Sequence, residues 1–409
     1  MKKLNPFNRR VSQSHGFLDY LIILVLLSLG VTACQKVTGP ETVKVAVTMP
    51  LGLGIGQDML NAAQMALDEA DGKAGDITVE LLTFNSSDPE GSPVSSELEQ
   101  EAAAKAIDDP AVVAYIGSPA SDQARASMAL LNEASIVQLS PAATWPGLTK
   151  PGFGPGEPGV YYPTGRRHFF RLAPSDDVQG EVAARWTKTL GAESAYVVDD
   201  NSAYGRGVAG IFEVSAQDVG LSIVGTDSFE GVDATPEELA AVAARVVEAQ
   251  PDLLFLGSSV GFGGGEFIRT MRELYPDIDI MAPDGMVQDQ LITDLGADLV
   301  EGIYATGVTV PADQLEFAAA FRASYQAAYG KEPPPMAVAA YEAMKAVLYA
   351  IEQAQEPTRE GVLTAMADLG EFSGIMGTWQ FDARGDISIT AISGMQIQDG
   401  VWSFVQVVE

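Results

Sequence analysis

One serine stands where a hydrolase would carry its nucleophile. Residues 257–261 read Gly-Ser-Ser-Val-Gly and follow the apolar run 253–256, which matches the G-x-S-x-G pattern that presents a catalytic serine after a strand. The candidate nucleophile, Ser259, would need a histidine as its base, and in hydrolases of this pattern the histidine follows the serine. The two histidines of this chain, His15 and His168, both precede Ser259. A serine hydrolase is therefore the least favoured function, open only through an unusual order built on His168.

The only cysteine, Cys34, ends a segment with the features of an export signal. Basic residues within 2–10, an apolar run at 21–29 and the small residues 31–33 precede it, an order typical of a secretory leader. Residues 31–34, Val-Thr-Ala-Cys, resemble the bacterial lipobox, in which the cysteine is acylated and the leader is cut before it. We therefore expect a signal peptide at 1–33 and a lipidated linker at 34–42. An uncleaved anchor helix, an idle thiol and an intermolecular disulfide are the alternatives.

The composition excludes several classes of function. A formal net charge of -31 repels nucleic acid and anionic lipid headgroups, so we expect no nucleic-acid partner. One cysteine and two histidines leave no disulfide framework and almost no ligands for zinc, and no cofactor is predicted. At 409 residues and 47% hydrophobic content, the chain is long enough to build more than one core. Two lobes are the expected architecture.

The apolar pattern predicts an α/β fold. Short β-rich runs alternate with helical periods, first at 43–48, 77–84, 112–116 and 136–139, and again at 195–198, 221–224, 253–256 and 278–281. This order predicts two doubly wound parallel sheets covered by helices. One helix start is especially clear, because Thr235 can cap it, Pro236 fits its first turn and Glu238 can complete a capping box. The segment 145–168 is rich in Gly and Pro and is predicted to be a long loop.

Several stretches of the chain resemble the leucine/isoleucine/valine-binding proteins, the type I periplasmic binding proteins that serve ABC importers. The resemblance is densest at 116–149, where Ile-Gly-Ser, Ala-Ser and Ser-Pro-Ala-Ala-Thr follow one another, and it continues along nearly the whole mature chain. The further matches are Phe170-Arg171 with 174–176 and 179–180, Tyr204-Gly205, 283–285, Tyr329-Gly330 with Pro333, Ala340-Tyr341 with Ala343, and Phe381-Asp382 with Gly385-Asp386.

The resemblance implies a site for a small zwitterion. In the family, hydroxyl residues at the places of Ser121 and Thr144 hold the ligand's α-carboxylate, and a helix start at Ser121 would add backbone N–H donors. The main-chain carbonyl at the place of Ala142 and a carboxylate at the place of Asp284 hold the ligand's ammonium. Tyr204 falls at the place of a cleft tyrosine, and core packing is its alternative.

Two further residues complete the expected ligand site, and some positions depart from the family pattern. Ala143 lies between the two anchors of its loop, and Ser259 replaces a pocket tyrosine. Another pocket tyrosine is replaced by Gly56, and Asp284 stands where the leucine-binding members have glutamate. Trp145 is larger than the small residue usual there, so it either fills part of the pocket or stacks on an aromatic ligand. The resemblance thus implies an amino acid, branched-chain or related, or a similar small carboxylate or amide.

The same resemblance implies how the chain is organised. We expect lobe one at 43–174 and 308–380, lobe two at 175–307 and 381–409, and a hinge made by three crossovers. Ligand binding would close the lobes, and the closed form would be recognised by an ABC permease of the branched-chain amino acid type. The protein is expected to be a monomer and to work without bond chemistry. A ligand-sensing lipoprotein of a signalling system is the alternative function.

Overall fold

The computed structural model describes residues 41–88 and 93–408, so the expected leader and Cys34 lie outside the described residues. The described chain forms two α/β lobes, each built on one sheet, and this confirms the fold class expected from the sequence. No helix of the described part of the chain combines the length and the apolar character needed to cross a membrane.

The first sheet is mainly parallel and has the strand order β2-β3-β1-β4-β5-β6. Its strands are β1 (Thr42–Met49), β2 (Lys73–Ala74), β3 (Ile77–Asn85), β4 (Val112–Ile116), β5 (Val137–Ser140) and β6 (Phe169–Arg171). Only the short β2 runs antiparallel to its neighbour. The helices of this lobe are α1 (Gly54–Glu69), α2 (Ser96–Asp108), α3 (Ser121–Glu133), α10 (Ala319–Tyr329), α11 (Pro335–Gln353) and α12 (Arg359–Ala367). α1, α11 and α12 share a core on one face, and α2 and α3 cover the other.

The second sheet has the order β15-β14-β11-β10-β9-β7-β8. Its strands are β7 (Ser194–Asp199), β8 (Ser222–Ser228), β9 (Leu253–Gly257), β10 (Asp279–Ala282), β11 (Tyr304–Gly307), β14 (Ile392–Gln398) and β15 (Val401–Val408). Its helices are α4 (Asp176–Thr189), α5 (Ala203–Asp218), α6 (Pro236–Ala249), α7 (Gly264–Leu274), α8 (Asp289–Leu295) and α9 (Ala297–Val300). α4 and α5 pack on one face, and α6, α7 and α8 pack on the other. β14 and β15 form an antiparallel hairpin at the edge.

The start of α6 matches the sequence expectation only in part. Thr235 Oγ1 accepts the N–H of Glu238 at 3.2 Å, so the predicted cap is confirmed. The carboxylate of Glu238 accepts the N–H of Glu230 at 3.0 Å instead of returning to Thr235. The capping box is therefore incomplete, because the turn before the helix brings another backbone donor within reach.

The chain passes between the lobes three times, after β6, after β11 and before β14. The third passage lies later than the sequence suggests. Phe381 and Ile387, expected in lobe two, pack in the core of the first lobe, and the Phe381 ring lies 4.9 Å from that of Phe170. The hairpin of β12 (Phe372–Gly374) and β13 (Gly377–Trp379) leads into this segment. The boundary therefore shifts from residue 380 to the residues before β14.

A buried arginine joins these passages. Arg171, at the end of β6, has no exposed surface, and its Nε donates to Asp386 Oδ1 at 2.8 Å. Its other nitrogens donate to the carbonyl of Trp145 at 2.9 Å and to Thr149 Oγ1 at 2.8 Å. Burial would raise the pKa of Asp386, but Arg171, Thr149 and Lys150 together outweigh burial and the pKa is lowered. The Arg171 side chain thus connects the first passage, the third passage and the start of the 145–168 loop.

Candidate functional site

A narrow cavity of about 70 Å³ lies between the lobes, at the carboxyl ends of the strands that face it. The first lobe lines it mainly with the apolar residues Pro50, Leu53, Ile55, Met59, Val94 and Met336. Its polar contributors from both lobes are Ser121, Asp122, Tyr204, Ser259, Asp284 and Gln288. Ligand sites are usually several hundred Å³ in volume, so the two lobes stand close together and would have to separate to admit a solute.

Ser121 lies in the first turn of α3, as the sequence predicts, and it is 2% exposed. It is not the helix cap, because the cap position belongs to Ala120, whose side chain makes no capping bond. Ser121 Oγ accepts the N–H of Trp145 at 3.1 Å, which leaves its own proton for an acceptor in the cavity. The first backbone N–H groups of α3 have no carbonyl partner within the helix and favour an anion there.

The loop after β5 is fixed by one serine hydroxyl. Ser140 Oγ accepts the N–H groups of Ala142 and Ala143 at 3.4 and 2.9 Å and donates to the carbonyl of Ser118 at 2.6 Å. Ala142 lines the cavity. Ala143 does not: it is fully buried among side chains of the first lobe, and its carbonyl accepts from Arg171 at 3.3 Å. Its expected place at the ligand is therefore not what the structure shows.

Thr144 is almost fully buried and does not line the cavity either. Its carbonyl accepts the N–H of Asp176 at 2.9 Å, which connects the loop to the first turn of α4. Its hydroxyl makes no hydrogen bond of standard geometry in the part of the chain that the structure describes, but it lies close enough to the Asp176 carboxyl to oppose the rise of the pKa of that group. The expected contact of Thr144 with the ligand carboxylate is therefore not what the structure shows.

The second lobe presents a tyrosine and a carboxylate that are bonded to each other. Tyr204, in the first turn of α5, donates its hydroxyl to Asp284 Oδ1 at 2.8 Å and accepts the N–H of Gly285 at 2.9 Å. Burial raises the pKa of Asp284 to about 6, although the hydrogen bond from Tyr204 opposes the shift. Burial and the nearby Asp284 and Asp176 together raise the pKa of Tyr204, so the tyrosine stays a neutral donor.

Asp176 is a functional candidate that the sequence analysis did not select. It is fully buried at the start of α4, and neither carboxyl oxygen has a hydrogen-bond partner among the described residues. Burial, and next the charge of Asp284, raise its pKa well above the usual range. Carboxylates are rarely left buried and unpaired, because their desolvation is costly without a cation or donor. Asp176 and Asp284 therefore make this part of the second lobe a region that would be stabilised by a cation.

Ser259 lines the cavity but lacks the setting of a nucleophile. It precedes a short 3-10 helix, Val260–Phe262, with ordinary extended backbone angles and not with a strained elbow. His168 lies in the first lobe, where it is fully buried and its Nδ1 is 2.9 Å from Asn132 Nδ2. Burial lowers its pKa to about 3, so it is neutral. These placements give no support to a triad built on His168.

Two departures from the family pattern have structural explanations. A Cβ at Gly56 would lie 2.2 Å from the carbonyl oxygen of Pro50, so the backbone occupies the space that a side chain would need. Trp145 does not line the cavity, contrary to both expected roles. Its ring packs edge-on against Phe153, with 5.8 Å between centroids, and its Nε1 donates to Glu157 Oε2 at 3.0 Å.

Comparison with known proteins agrees with this architecture. The profile described as periplasmic binding protein matches residues 44–401. The Leu/Ile/Val-binding protein BraC3 of Rhizobium johnstonii is 26% identical over 342 residues, which cover 83% of this chain and 86% of BraC3. The leucine binding protein LivK of Thermotoga maritima superposes with a TM-score of 0.78 at 25% identity, over 90% of this chain and 99% of LivK.

A third relative shows that the fold accepts different ligands. A solute binding protein of an ABC transporter from R. palustris, solved in complex with benzoate, gives a TM-score of 0.74 at 19% identity, over 90% of this chain and 96% of that protein. At that identity only the fold is shared. The match of the family profile to most of the chain, on two lobes that enclose a cavity at their strand ends, places this protein in the periplasmic binding protein family.

Proposed function

We propose that this chain is the extracytoplasmic solute-binding protein of an ABC importer and that it captures a free amino acid between its lobes. The observation that carries the proposal is the buried carboxyl of Asp284, which lines the cavity in the lobe opposite the start of α3, with the buried Asp176 close to it. Acids that have lost their water favour an ammonium group, and a helix N-terminus favours a carboxylate. A ligand that carries both groups meets complementary charge at each end.

The ligand carboxylate would lie at the Ser121 hydroxyl and the first N–H groups of α3. Its ammonium would lie at Asp284, whose orientation is set by the Tyr204 hydroxyl. Asp176, next to Thr144, does not line the cavity, but its carboxyl interacts with that of Asp284 and would favour a cation nearby. Closure of the lobes would then hold the ammonium at Asp284 and would expel the remaining water.

The rest of the cavity indicates the ligand's side chain. Leu53, Ile55 and Met59 form an apolar wall, and Gly56 leaves no room there for the polar ring that the family pattern would place. A small aliphatic side chain buries apolar area against this wall without leaving a polar group unpaired. The relatives named for leucine, isoleucine and valine fit this chemistry.

The test uses calorimetry at pH 7.5 to compare leucine with analogues that lack either its carboxylate or its ammonium group. We expect leucine to bind, whereas leucinamide lacks the carboxylate and 4-methylpentanoate lacks the ammonium, so each should bind at least about 100-fold more weakly. Benzoate serves as the control for a site that needs only an anion. Tight binding of 4-methylpentanoate or benzoate without binding of leucine would overturn the zwitterion site.

The membrane tether rests on the sequence at 31–34. Acylation of Cys34 would keep the binding protein beside its permease on the extracytoplasmic face of the membrane. A Cys34→Ser variant should appear in the soluble fraction and should not incorporate an alkyne-labelled fatty acid that the wild type incorporates. Loss of leucine uptake in cells that lack the chain would separate transport from the sensing alternative, in which uptake would continue.

A further inference from the structure

The side chain of Trp145 lies between the two lobes. The residue follows Thr144 in the first lobe, but its ring rests on α5 of the second lobe at Gly207. A Cβ at Gly207 would lie 2.3 Å from Trp145 Cζ3 and 2.5 Å from Cε3, which is too close for any real side chain. The indole therefore reaches the helix backbone only because residue 207 is glycine. Gly207 is three residues after Tyr204, so both lie on one side of α5.

The ring is held in this position from its own lobe. Glu157, only 9% exposed, accepts the indole N–H and also accepts the hydroxyl of Tyr161 at 2.5 Å. Two glycines make room for this carboxylate: a Cβ at Gly147 or Gly154 would lie 1.9 or 2.5 Å from Glu157 Oε2. Because the carboxylate fixes the indole nitrogen, the ring cannot move away from α5 without breaking a partly buried hydrogen bond.

The backbone of Trp145 contacts two other parts of the site. Its N–H donates to Ser121 Oγ, the expected carboxylate anchor, at 3.1 Å, and its carbonyl accepts from Arg171 at 2.9 Å. Nearby, Asp122 Oδ2 accepts the N–H of Ala203 at 3.1 Å, so α3 and the start of α5 are also bonded across the lobes. One residue thus links an anchor in the first lobe, the arginine beside the hinge and the helix that carries Tyr204.

We propose that Trp145 is a positioning residue that stabilises the closed arrangement of the lobes. Gly207 permits this contact, because it has no side chain to keep the indole away from α5. This inference rests on the proposed function, since a contact that favours closure increases the affinity for any ligand that binds between the lobes. The contact contributes to affinity without touching the ligand, because the closed state is the one that binds.

Substitutions of glycines on α5 provide the test and its control. Gly207→Ala places a methyl group against the indole, whereas Gly210→Ala, on the same helix, meets nothing within 4 Å. Both changes favour the helix equally, so they differ only in the contact. We expect Gly210→Ala to bind leucine like the wild type and Gly207→Ala to bind at least about tenfold more weakly, as is usual when an extra methyl is forced into a packed contact.

Trp145→Ala completes a double-mutant cycle with Gly207→Ala. In that background Gly207→Ala should cause no further loss of affinity, since the ring it would displace is gone. Equal effects of Gly207→Ala with and without Trp145 would overturn the inference. So would an effect of Gly207→Ala no larger than that of Gly210→Ala.

A ligand-free measurement keeps this inference separate from the proposed function. We expect the melting temperature to rise in Gly210→Ala but not in Gly207→Ala, and to rise in both when Trp145 is alanine. Small-angle scattering should show a larger radius of gyration for Gly207→Ala than for Gly210→Ala. If leucine and related amino acids fail to bind the wild type, the proposed function fails, while these readouts still decide whether the contact holds the lobes together. Equal melting temperatures and equal radii would overturn it.

Discussion

The two sides of the cavity differ in how they would meet a charged ligand. On the first lobe, Ser121 and the backbone N–H groups at the start of α3 carry no charge. The one carboxylate of that turn, Asp122, is paired, because it accepts the N–H of Ala203 at 3.1 Å and lies 3.6 Å from Arg125. On the second lobe, Asp176 and Asp284 are buried carboxyls with raised pKa values. The groups on the first lobe cost the ligand-free protein little stability. The buried carboxyls of the second lobe destabilise the ligand-free protein until a cation binds. This difference can be tested by substitutions in each lobe separately.

The largest effect on binding is expected at Asp284. Asp284→Asn keeps an oxygen that can accept from Tyr204, but it removes the charge that faces the ammonium. Loss of one partner from a buried charge pair usually costs about 2 to 5 kcal/mol, so leucine affinity should fall about 100-fold or more. Calorimetry at pH 7.5 measures this change, and exposed Asp218, replaced by Asn, is the matched control. An affinity within threefold of wild type would remove Asp284 from the site.

The same substitution should stabilise the empty protein, and this effect depends on pH. The folded state holds the Asp284 proton up to pH about 6, above the ordinary value of 3.8. Unfolding therefore releases a proton between these values, and the free energy of unfolding falls as pH rises through them. Between pH 4.5 and 8 the advantage of Asp284→Asn over the wild type should grow by about 2 kcal/mol, as measured by urea unfolding. A difference that does not change with pH would contradict the raised pKa.

On the first lobe, Ser121→Ala should have a smaller effect. Removal of one donor to a charged carboxylate usually costs about 1.5 to 3 kcal/mol, which corresponds to a loss of roughly tenfold or more in leucine affinity. Stability should change little with pH relative to the wild type, because no ionisable group is removed. Ser222→Ala, at an exposed position of β8, is the control. Unchanged leucine affinity would show that the start of α3 does not hold the carboxylate.

The smallest effect is expected at Ser259. This residue lines the cavity, and the short helix that follows it has no acidic residue in its first turn. Ser259→Ala should leave leucine affinity within about threefold, in line with substitutions away from a buried network. A tenfold loss would show that the second lobe recognises the ligand through more than its carboxyls. The measurement is the same calorimetric titration.

Much of the fold could be predicted because its signals are local. Strands that are buried on both faces read as apolar runs, and the Thr235 cap is set by residues three positions apart. The site was harder to predict. Asp176 follows a serine at a helix start, which is the local pattern of an ordinary capped helix. Its complete burial next to Thr144 is a tertiary feature that this pattern does not reveal. Its position in a run that resembles the family was the one available signal.

Other errors also came from contacts that are distant in sequence. Phe381, expected in lobe two, packs against Phe170 in the first lobe, and Asp386 pairs there with Arg171. Trp145 was expected at the ligand since it follows Thr144, yet a residue twelve positions later holds its indole elsewhere. Neighbours along the chain do not reveal such partners, whereas they do reveal helices and strands.

The Arg171–Asp386 pair has a consequence for ionic strength. The protein carries a formal charge of -31, and exposed pairs such as Lys105 with Glu101 lose most of their attraction when salt screens them. Arg171 has no exposed surface and lies 2.8 Å from its partner, so dissolved ions cannot approach it closely. The alignment of the passages between the lobes should therefore persist in concentrated salt, where the repulsion between acidic surfaces fades and the lobes approach each other more easily.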